Sequence, residues 1–566
     1  YCAAAWRQQL GRPAACPTAW GSVYSETVSG EMQYERPIQT NLSFDYAATL
    51  NLDVNDTWGF NTSFGAQYYV DERDAFWAQG NGFASPLSTT INQLAQAQTG
   101  VDYELVQNKS LGFYVQEEIS FNDRIFLTGA VRFDDNSTFG VDAPAQKYPK
   151  FSGTWVVSEE SFWGIDLVNS LRLRGAWGKA GRQPSSTSNQ DIYVPIPGPG
   201  GSSAIRPQSP GNPKIEPEVS TELELGFDIA LLDDRLSGEF THYWRKDEQA
   251  LLNLAVVSST GFPGSVDANL GRIDNWGWEA ILSARLFESN AFTFDVDFTG
   301  DYTKNEIKDL GDFPGTTNIR IGYPYPNQIT GDWVVSAQFD PTASPAGNHV
   351  NAFGQVVTAM CDSGRSLAPD PDGPDASKYG VLPGGAPAQC STIPDRNILA
   401  GPGYATHSVG VAPRIGLLDN QLQIFALAEG QYGRIGEDDG HLWGHNYNNS
   451  AVSRSEDDPV WVASNKVNGT GDAWTQSYFD ADFWKLREVG ARYNLPQGFV
   501  QRTGAERASL AFSARNLWTI WVAQDEIYGL PVTDPEFGNP AQLDGGGNFR
   551  AQPPGVNLNV TLRVTF

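Results

Sequence analysis

Basic residues are the first shortage: 38 Lys+Arg face 66 Asp+Glu, a formal net charge of −28. So acidic a chain offers no electrostatic footprint to a phosphate backbone, which excludes nucleic acid as a partner. Met (2), His (5) and Cys (4) are scarce among the 566 residues, so dedicated metal handling has few soft or imidazole donors to draw on. No apolar run approaches the length of a spanning helix, roughly 18 residues. Strands remain open, because they cross with short alternating segments that hydropathy averaging hides. No secretory leader opens the chain either: Tyr1-Cys2-Ala3 has neither a basic region nor an apolar core. The start is therefore read as trimmed or missing. A hydrophobic content of 40% with 12% aromatics is too high for a disordered chain.

What the sequence has in abundance is alternation of period two, from about residue 40 to the last residue. In the closing GVNLNVTLRVTF, Val556, Leu558, Val560, Leu562, Val564 and Phe566 share one face, and Asn557, Asn559, Thr561, Arg563 and Thr565 the other. TELELGFDIAL, AFTFDVDFTGDYT and RIFLTGAVRFD repeat the pattern. These are strands with one apolar and one polar face. Polar-face residues such as Arg172, Arg174, Glu222, Glu224, Asp228, Asp295 and Asp297 should point inward, since a charge facing lipid is costly. Glu117, in YVQEEISF, falls on the apolar register as an exception.

Connections alternate in length. Tight Asn/Asp turns occur at Asn55-Asp56, Asn122-Asp123, Asp233-Asp234, Glu288-Ser289-Asn290 and Asp419-Asn420. Between them lie Gly/Pro/Asn-rich stretches at 71–106, 183–216, 249–271, 305–404, 435–477 and 518–554. About fifteen strands can be counted, near 40–52, 57–70, 107–121, 124–136, 147–158, 169–182, 217–231, 235–248, 272–287, 291–304, 405–418, 421–434, 478–494, 506–517 and 555–566. Short turns on one side and long loops on the other imply an all-β fold: an antiparallel transmembrane β-barrel occupying 40–566, with long extracellular loops. Residues 1–39 read as the end of another such loop. Aromatics near strand ends, Trp177, Tyr243, Trp244, Trp278 and Tyr302, suit an interfacial girdle. A large soluble all-β protein is the rival, but no blade-length repeat supports a propeller.

Three ordered segments, LRLRGAWGKAGRQP, NPKIEPEVSTELELGFDIALLDDRLSGEFTHYWRKDEQALL and NLGRIDNWGWEAILSARL, resemble the barrel of SusC/RagA-type TonB-dependent outer-membrane transporters. DADFWKLREVGARYNLP, LAFSARNLWTIW and NLNVTLRVTF are similar to that family's last strands, so the resemblance runs over roughly 110–566. It implies import of a bulky nutrient, such as an oligosaccharide or peptide, across a bacterial outer membrane. It also implies a plug inside a 22-stranded barrel, energy from the TonB complex, and a SusD-like surface lipoprotein as partner, with outer-membrane lipid around the wall. No plug and no TonB-binding segment is found in the sequence, and the count falls short by about seven strands. The complete assembly is therefore expected to carry them before Tyr1 or on another chain, and this chain is not expected to close a barrel alone. A siderophore or cofactor receptor, and a non-transporting structural or adhesion barrel, are the alternatives.

Catalytic motifs are absent: no P-loop, no nucleophile elbow and no His-Glu-x-x-His helix occurs. The chain is not read as an enzyme. His441 and His445 are four apart, but the Leu-Trp-Gly between them lacks the Glu of a metalloprotease. Asp370, Asp372 and Asp375 cluster in PDPDGPD, which makes calcium in an extracellular loop the one candidate cofactor, although the spacing departs from a helix-loop-helix site. Trp443, Tyr447, Trp461 and Trp474 stand among Asn, Asp and Gly, a composition suited to stacking on a sugar ring. For the four cysteines, two local pairs, Cys2–Cys16 and Cys361–Cys390, are the economical choice among three connectivities in an oxidising compartment.

Overall fold

Alternation with a dry and a wet face cannot satisfy its backbone alone; each strand must find a neighbour for its N–H and C=O groups. The computed structural model shows how it does so for residues 31–83, 90–91, 94–256, 258–331, 333–339, 357–393, 398–438, 459–460, 478–527, 530–532, 534–536 and 554–566. Fifteen strands form one sheet in strict sequence order, each antiparallel to the next. They are β1 (Glu31–Asn55), β2 (Trp58–Phe83), β3 (Leu94–Phe121), β4 (Ile125–Asn136), β5 (Gln146–Val156), β6 (Val168–Arg182), β7 (Glu218–Leu231) and β8 (Leu236–Glu248). The sheet continues through β9 (Arg272–Glu288), β10 (Phe292–Asp309), β11 (His407–Leu417), β12 (Leu422–Tyr432), β13 (Phe483–Asn494), β14 (Arg507–Val522) and β15 (Asn557–Thr565). No helix among the described residues is long and apolar enough to cross a membrane.

The short turns fall where Asn and Asp lead the sequence. Asn122 and Asp123 have φ of 51° and 54°, and Leu232-Asp233-Asp234 and Leu418-Asp419-Asn420 each run three positive φ values in succession. Asn and Asp tolerate this left-handed region better than other side chains, which is why they mark the turns. A short helix, Gln497–Val500, with a following turn at Gln501–Thr503, links β13 to β14 at the same end.

Strand pairing places the apolar residues of neighbouring strands side by side on the outer face. Ala48↔Phe64 and Phe64↔Val115 align across β1–β3, as do Leu510↔Leu562 and Phe512↔Val560 at the other edge. These rings and branches are open to the surroundings: Phe44 and Leu50 are each 62% exposed and Val560 72%. An apolar face left bare on so many strands is what lipid, rather than water, would cover. Trp177, Trp244, Trp278 and Tyr302 share this outer register, Trp177 stacking on Phe151 at 6.0 Å. Tyr243 does not belong with them: it sits on the inner register and donates its hydroxyl to Thr303 at 2.8 Å. Glu117 lies on the outer face between Val115 and Ile119, where Thr62 of β2 donates to its carboxylate at 2.6 Å. The apolar register thus carries a polar pair amid its apolar residues.

Two boundaries differ from the sequence reading. β1 begins at Glu31 rather than 40, so 31–39 is strand and not loop. The stretch 71–106 is largely strand as well, because β2 runs to Phe83 and β3 starts at Leu94. Beyond the Ser110↔Asn136 pair, β3 has no β4 partner, and the three strands continue as a ribbon above the rim. Backbone pairing there needs no unbroken dry face, so the ladder runs on through the charged Asp71–Asp74 stretch, while Val101, Tyr103 and Leu105 of β3 still alternate with Asp102 and Glu104. The other long connections carry structure of their own, including hairpins Ile192–Pro197/Ser203–Ser209 and Leu251–Ala255/Ser265–Asn269. Among the described residues no pairing joins β15 to β1, so the sheet presents two edges.

Candidate functional site

A sheet whose outer face is apolar must put its polar half on the inside, and that inner face is the first part of the site. Arg174 Nε donates to Asp228 Oδ1 at 3.0 Å and its NH2 to Thr241 Oγ1 at 2.6 Å, spanning β6, β7 and β8. Arg172 approaches the same carboxylate at 3.7 Å. Arg285 meets Asp295 at 3.3 Å and Arg414 meets Asp297 at 3.2 Å. Arg172, Arg174, Asp228, Asp295 and Asp297 therefore stand where the alternation places them. Glu222 and Glu224, with Glu239 and Glu279, line an open groove beside Arg174 and Arg245. Most of these ions are a quarter to half exposed, so each pair is worth at most about 1 kcal/mol. They give the interior a polar lining more than they give the fold stability.

The second part is the mouth at the long-loop end. Asn305, near the end of β10, holds the returning chain in both directions: its Nδ2 donates to Tyr325 O and its Oδ1 accepts from Tyr325 N, both at 2.7 Å. Above it Ile307, Leu310, Phe313 and Tyr323 form a small buried core. Burial pushes the Tyr323 phenol above its usual range, and the hydroxyl both donates to Val381 O and accepts from Val381 N. Farther out, Val357–Asp362 pairs with Val334–Phe339 and Pro387–Gln389. The Cys361–Cys390 disulfide closes this unit with a Cα–Cα distance of 4.9 Å, as the sequence spacing suggested.

Next to it Asp362 is buried, and its carboxylate accepts the backbone N–H groups of Gly364, Gly384 and Gly385 at 2.7–2.8 Å. Burial alone would raise its pKa, but the three donors outweigh it and hold Asp362 below the ordinary carboxylate value. Gly364 and Gly384 have φ of 69° and 97°, a backbone that lets their N–H groups converge on one oxygen pair. Asp267 plays a similar part elsewhere at the mouth, accepting from Asn253 at 2.9 Å and from Ser188, so that two hairpin-bearing loops share one carboxylate.

A third cluster lies where β12 and β13 reach the mouth. Lys485 Nζ is 2.6 Å from Asp534 Oδ1 and 2.8 Å from Glu536 Oε2. Arg487 meets Glu429 at 2.9 Å and Glu536 at 2.7 Å. Burial would raise Glu536, yet the hydrogen bonds from Arg487 and Lys485 prevail and hold its pKa below the usual range. Sequence reasoning missed both Asp362 and this cluster. Each brings together residues that are separated in the chain, and the local signal for the second was no more than a Lys and an Arg two apart on one strand.

Trp443, Tyr447, Trp461 and Trp474, together with His441, His445, Cys2 and Cys16, lie outside the described residues. The structure does not gather Asp370, Asp372 and Asp375 into one ligand set. The Asp370 carboxylate caps its own turn by accepting Asp372 N at 3.2 Å, and Asp375 pairs with Lys378 at 3.3 Å. Among the described residues no group of three or more His, Cys, Asp or Glu side chains could hold a metal ion.

Residues 11–411 match a family model described as TonB dependent receptor-like, beta-barrel. The TonB-dependent receptor SusC of Bacteroides thetaiotaomicron is 25% identical over 306 residues, 52% of this chain and 29% of SusC. The TonB-dependent receptor P3 of Formosa agariphila is 22% identical over 529 residues, 87% of this chain and 50% of that protein. Among solved structures, the RagAB peptide transporter superposes with a TM-score of 0.70 at 16% identity, over 95% of this chain and 56% of that one. The chain thus spans half or less of these curated relatives' length.

Proposed function

The chain belongs to the TonB-dependent receptor-like β-barrel family, whose members are outer-membrane receptors and transporters, and we propose that it forms the greater part of the wall and mouth of an importer for a bulky nutrient. An oligosaccharide or a peptide is the cargo class this reading favours. The observation that carries it is the division of one fifteen-stranded sheet into a lipid-ready outer face and a polar inner face, under loops that fold into a cap. The long loops 183–216, 305–404, 435–477 and 518–554 then lie outside the cell and the Asn/Asp turns in the periplasm. The protein acts as a transporter and carries out no catalysis on its cargo.

Two partners belong to this reading. Among the described residues, the outward edges of β1 and β15 have no strand partner, and in hydrocarbon each unpaired backbone group costs several kcal/mol. Further strands must therefore meet both edges, on the same polypeptide or another. Energy would come from a TonB complex through a plug, and a SusD-like lipoprotein would sit over the mouth. The reading is tested by deleting the gene and following uptake of labelled oligosaccharides and peptides, with and without an uncoupler of the proton gradient. Uptake of at least one class should fall in the deletion strain and be uncoupler-sensitive in its parent. Unchanged uptake of both classes would refute the proposal.

A further inference from the structure

In a chain with 66 acids and 38 bases, Lys485 and Arg487 stand on one face of β13 with side chains only 9% and 16% exposed. Cations so far out of water need anions, because a buried charge without a partner is strongly unfavourable. Their anions come from two sources. Glu429 is built into neighbouring β12 and holds Arg487 Nε at 2.9 Å. Asp534 and Glu536 belong instead to the connection between β14 and β15, and reach back over the mouth to Lys485 and Arg487. The Glu536 carbonyl accepts Arg434 NH1 at 3.2 Å, and Asp534 Oδ1 accepts the Glu536 N–H at 2.9 Å.

Besides charge, a few contacts hold this segment among the described residues: Ala523 N–H donates to Asp482 O at 2.9 Å, and Gln524 Oε1 accepts the Asp480 N–H at 3.2 Å. Val532 packs on Phe479 and Ala481, and its N–H donates to Asp525 O. Glu526–Ile527 pairs only with Leu530–Pro531 of the same segment. By contrast, the floor of the cluster belongs to the barrel. The Phe483 ring lies 5.1 Å from Lys485 Nζ and 5.5 Å from Arg487 Cζ, so both cations keep an aromatic contact whatever anion meets them.

We propose that Lys485 and Arg487 form a carboxylate-reading site at the mouth, in which Asp534 and Glu536 are resident placeholders that an anionic cargo displaces. The proposal rests on the import reading and adds a cargo class: oligomers with carboxylates on neighbouring units, from uronate sugars or acidic peptides. Asp534 and Glu536 are two positions apart and engage donors two positions apart, so successive carboxylates of such a chain can take the same places. A guanidinium fork beside an ammonium binds carboxylates through charge-assisted hydrogen bonds roughly twice as strong as neutral ones, so a neutral hydroxyl-only chain competes poorly for it. Exchanging one carboxylate for another also keeps each cation paired throughout, whereas release of the segment into water without a replacement would not.

The test uses the intact receptor purified from outer membranes in detergent. The probes are trigalacturonate and hexaglutamate, each beside a neutral counterpart, methyl-esterified trigalacturonate and hexaglutamine. Amide hydrogen exchange across 523–536 reads the segment, and calorimetry reads affinity. One carboxylate probe should bind and raise exchange there while its neutral counterpart does neither, and the probe that succeeds identifies the source. Asp534→Asn with Glu536→Gln should give fast exchange without any probe and bind that carboxylate about tenfold more tightly, because the internal competitor is gone. Lys485→Gln with Arg487→Gln should abolish carboxylate binding.

If the acid double variant retains parental exchange in β11–β13 yet binds neither carboxylate probe more tightly than the parent, the segment is a structural strap and the proposal fails. Should that variant misfold, Glu536→Gln alone carries the same comparison, with a gain of about threefold expected. These measurements need no energised transport. A negative result leaves the import reading standing, and loss of uptake dependence with intact carboxylate binding would count against import alone.

Discussion

Tyr478 donates its hydroxyl to the carbonyl of Ile329 at 2.7 Å, joining two long connections 149 positions apart. Ile329 lies in the short pairing of Asn327–Thr330 with Ile398–Pro402, and Tyr478 opens the pairing of Tyr478–Asp480 with Ile435–Glu437. The mouth is thus one cross-linked cap rather than a set of separate loops. Tyr478→Phe removes the donor and leaves the Ile329 carbonyl to water. A local loss of about 1 kcal/mol is expected, seen as faster amide exchange at 327–330 and 398–402 with no change in β11 or β12. Equal exchange in parent and variant would show that the tie carries no weight.

The Cys361–Cys390 bond closes a loop of 29 positions. In the chain-entropy view a closure of about this size contributes roughly 3–4 kcal/mol. Cys361→Ser with Cys390→Ser should therefore speed exchange throughout 334–339, 357–362 and 387–389 while the barrel strands keep their protection. In the unreduced, unfolded parent, a maleimide should label neither cysteine. Labelling of either would contradict the bond.

Acid should loosen the cap before it touches the barrel. Asp362 and Glu536 both have pKa values below their ordinary range in the folded protein. A depressed carboxylate contributes stability above its unfolded pKa, about 4, and loses it as pH falls through the lower folded value. Protection at Gly364, Gly384 and Gly385 should hold from neutral pH down to about 5 and decline below about 4. Asp362→Asn should weaken these amides at neutral pH, by about 1.5–3 kcal/mol for the lost charged acceptor, and flatten the acid response. A parental cap with constant protection down to pH 2 would be inconsistent with this account.

Glu117 faces outward among apolar neighbours, with Thr62 as its hydrogen-bond donor. Replacing both by apolar residues, Glu117→Leu with Thr62→Val, removes donor and acceptor together, which leaves no polar group stranded. The double variant should be as resistant to heat in detergent as the parent, or more so. Thr62→Val alone should be less stable than either, by about 1 kcal/mol. If the double variant is the weakest of the three, the pair is needed for more than its own satisfaction.

The local sequence determined a great deal here. Period-two alternation with Asn/Asp turns located all fifteen strands, because each strand needs only one dry face and the turns only residues tolerant of positive φ. It determined which charges point inward, Arg174 and Asp228 among them, and offered the Cys361–Cys390 pairing through proximity in one loop. Charged stretches such as Asp71–Asp74 interrupt the alternation and read as loop, so the extension of β1, β2 and β3 above the rim came from the backbone pairing. The convergence of three glycine N–H groups on Asp362, and of Asp534 and Glu536 on Lys485 and Arg487, likewise came only from the tertiary structure. Such contacts join residues up to 51 positions apart through hydrogen bonds and ion pairs, interactions that leave no period in the sequence for a local reading to detect.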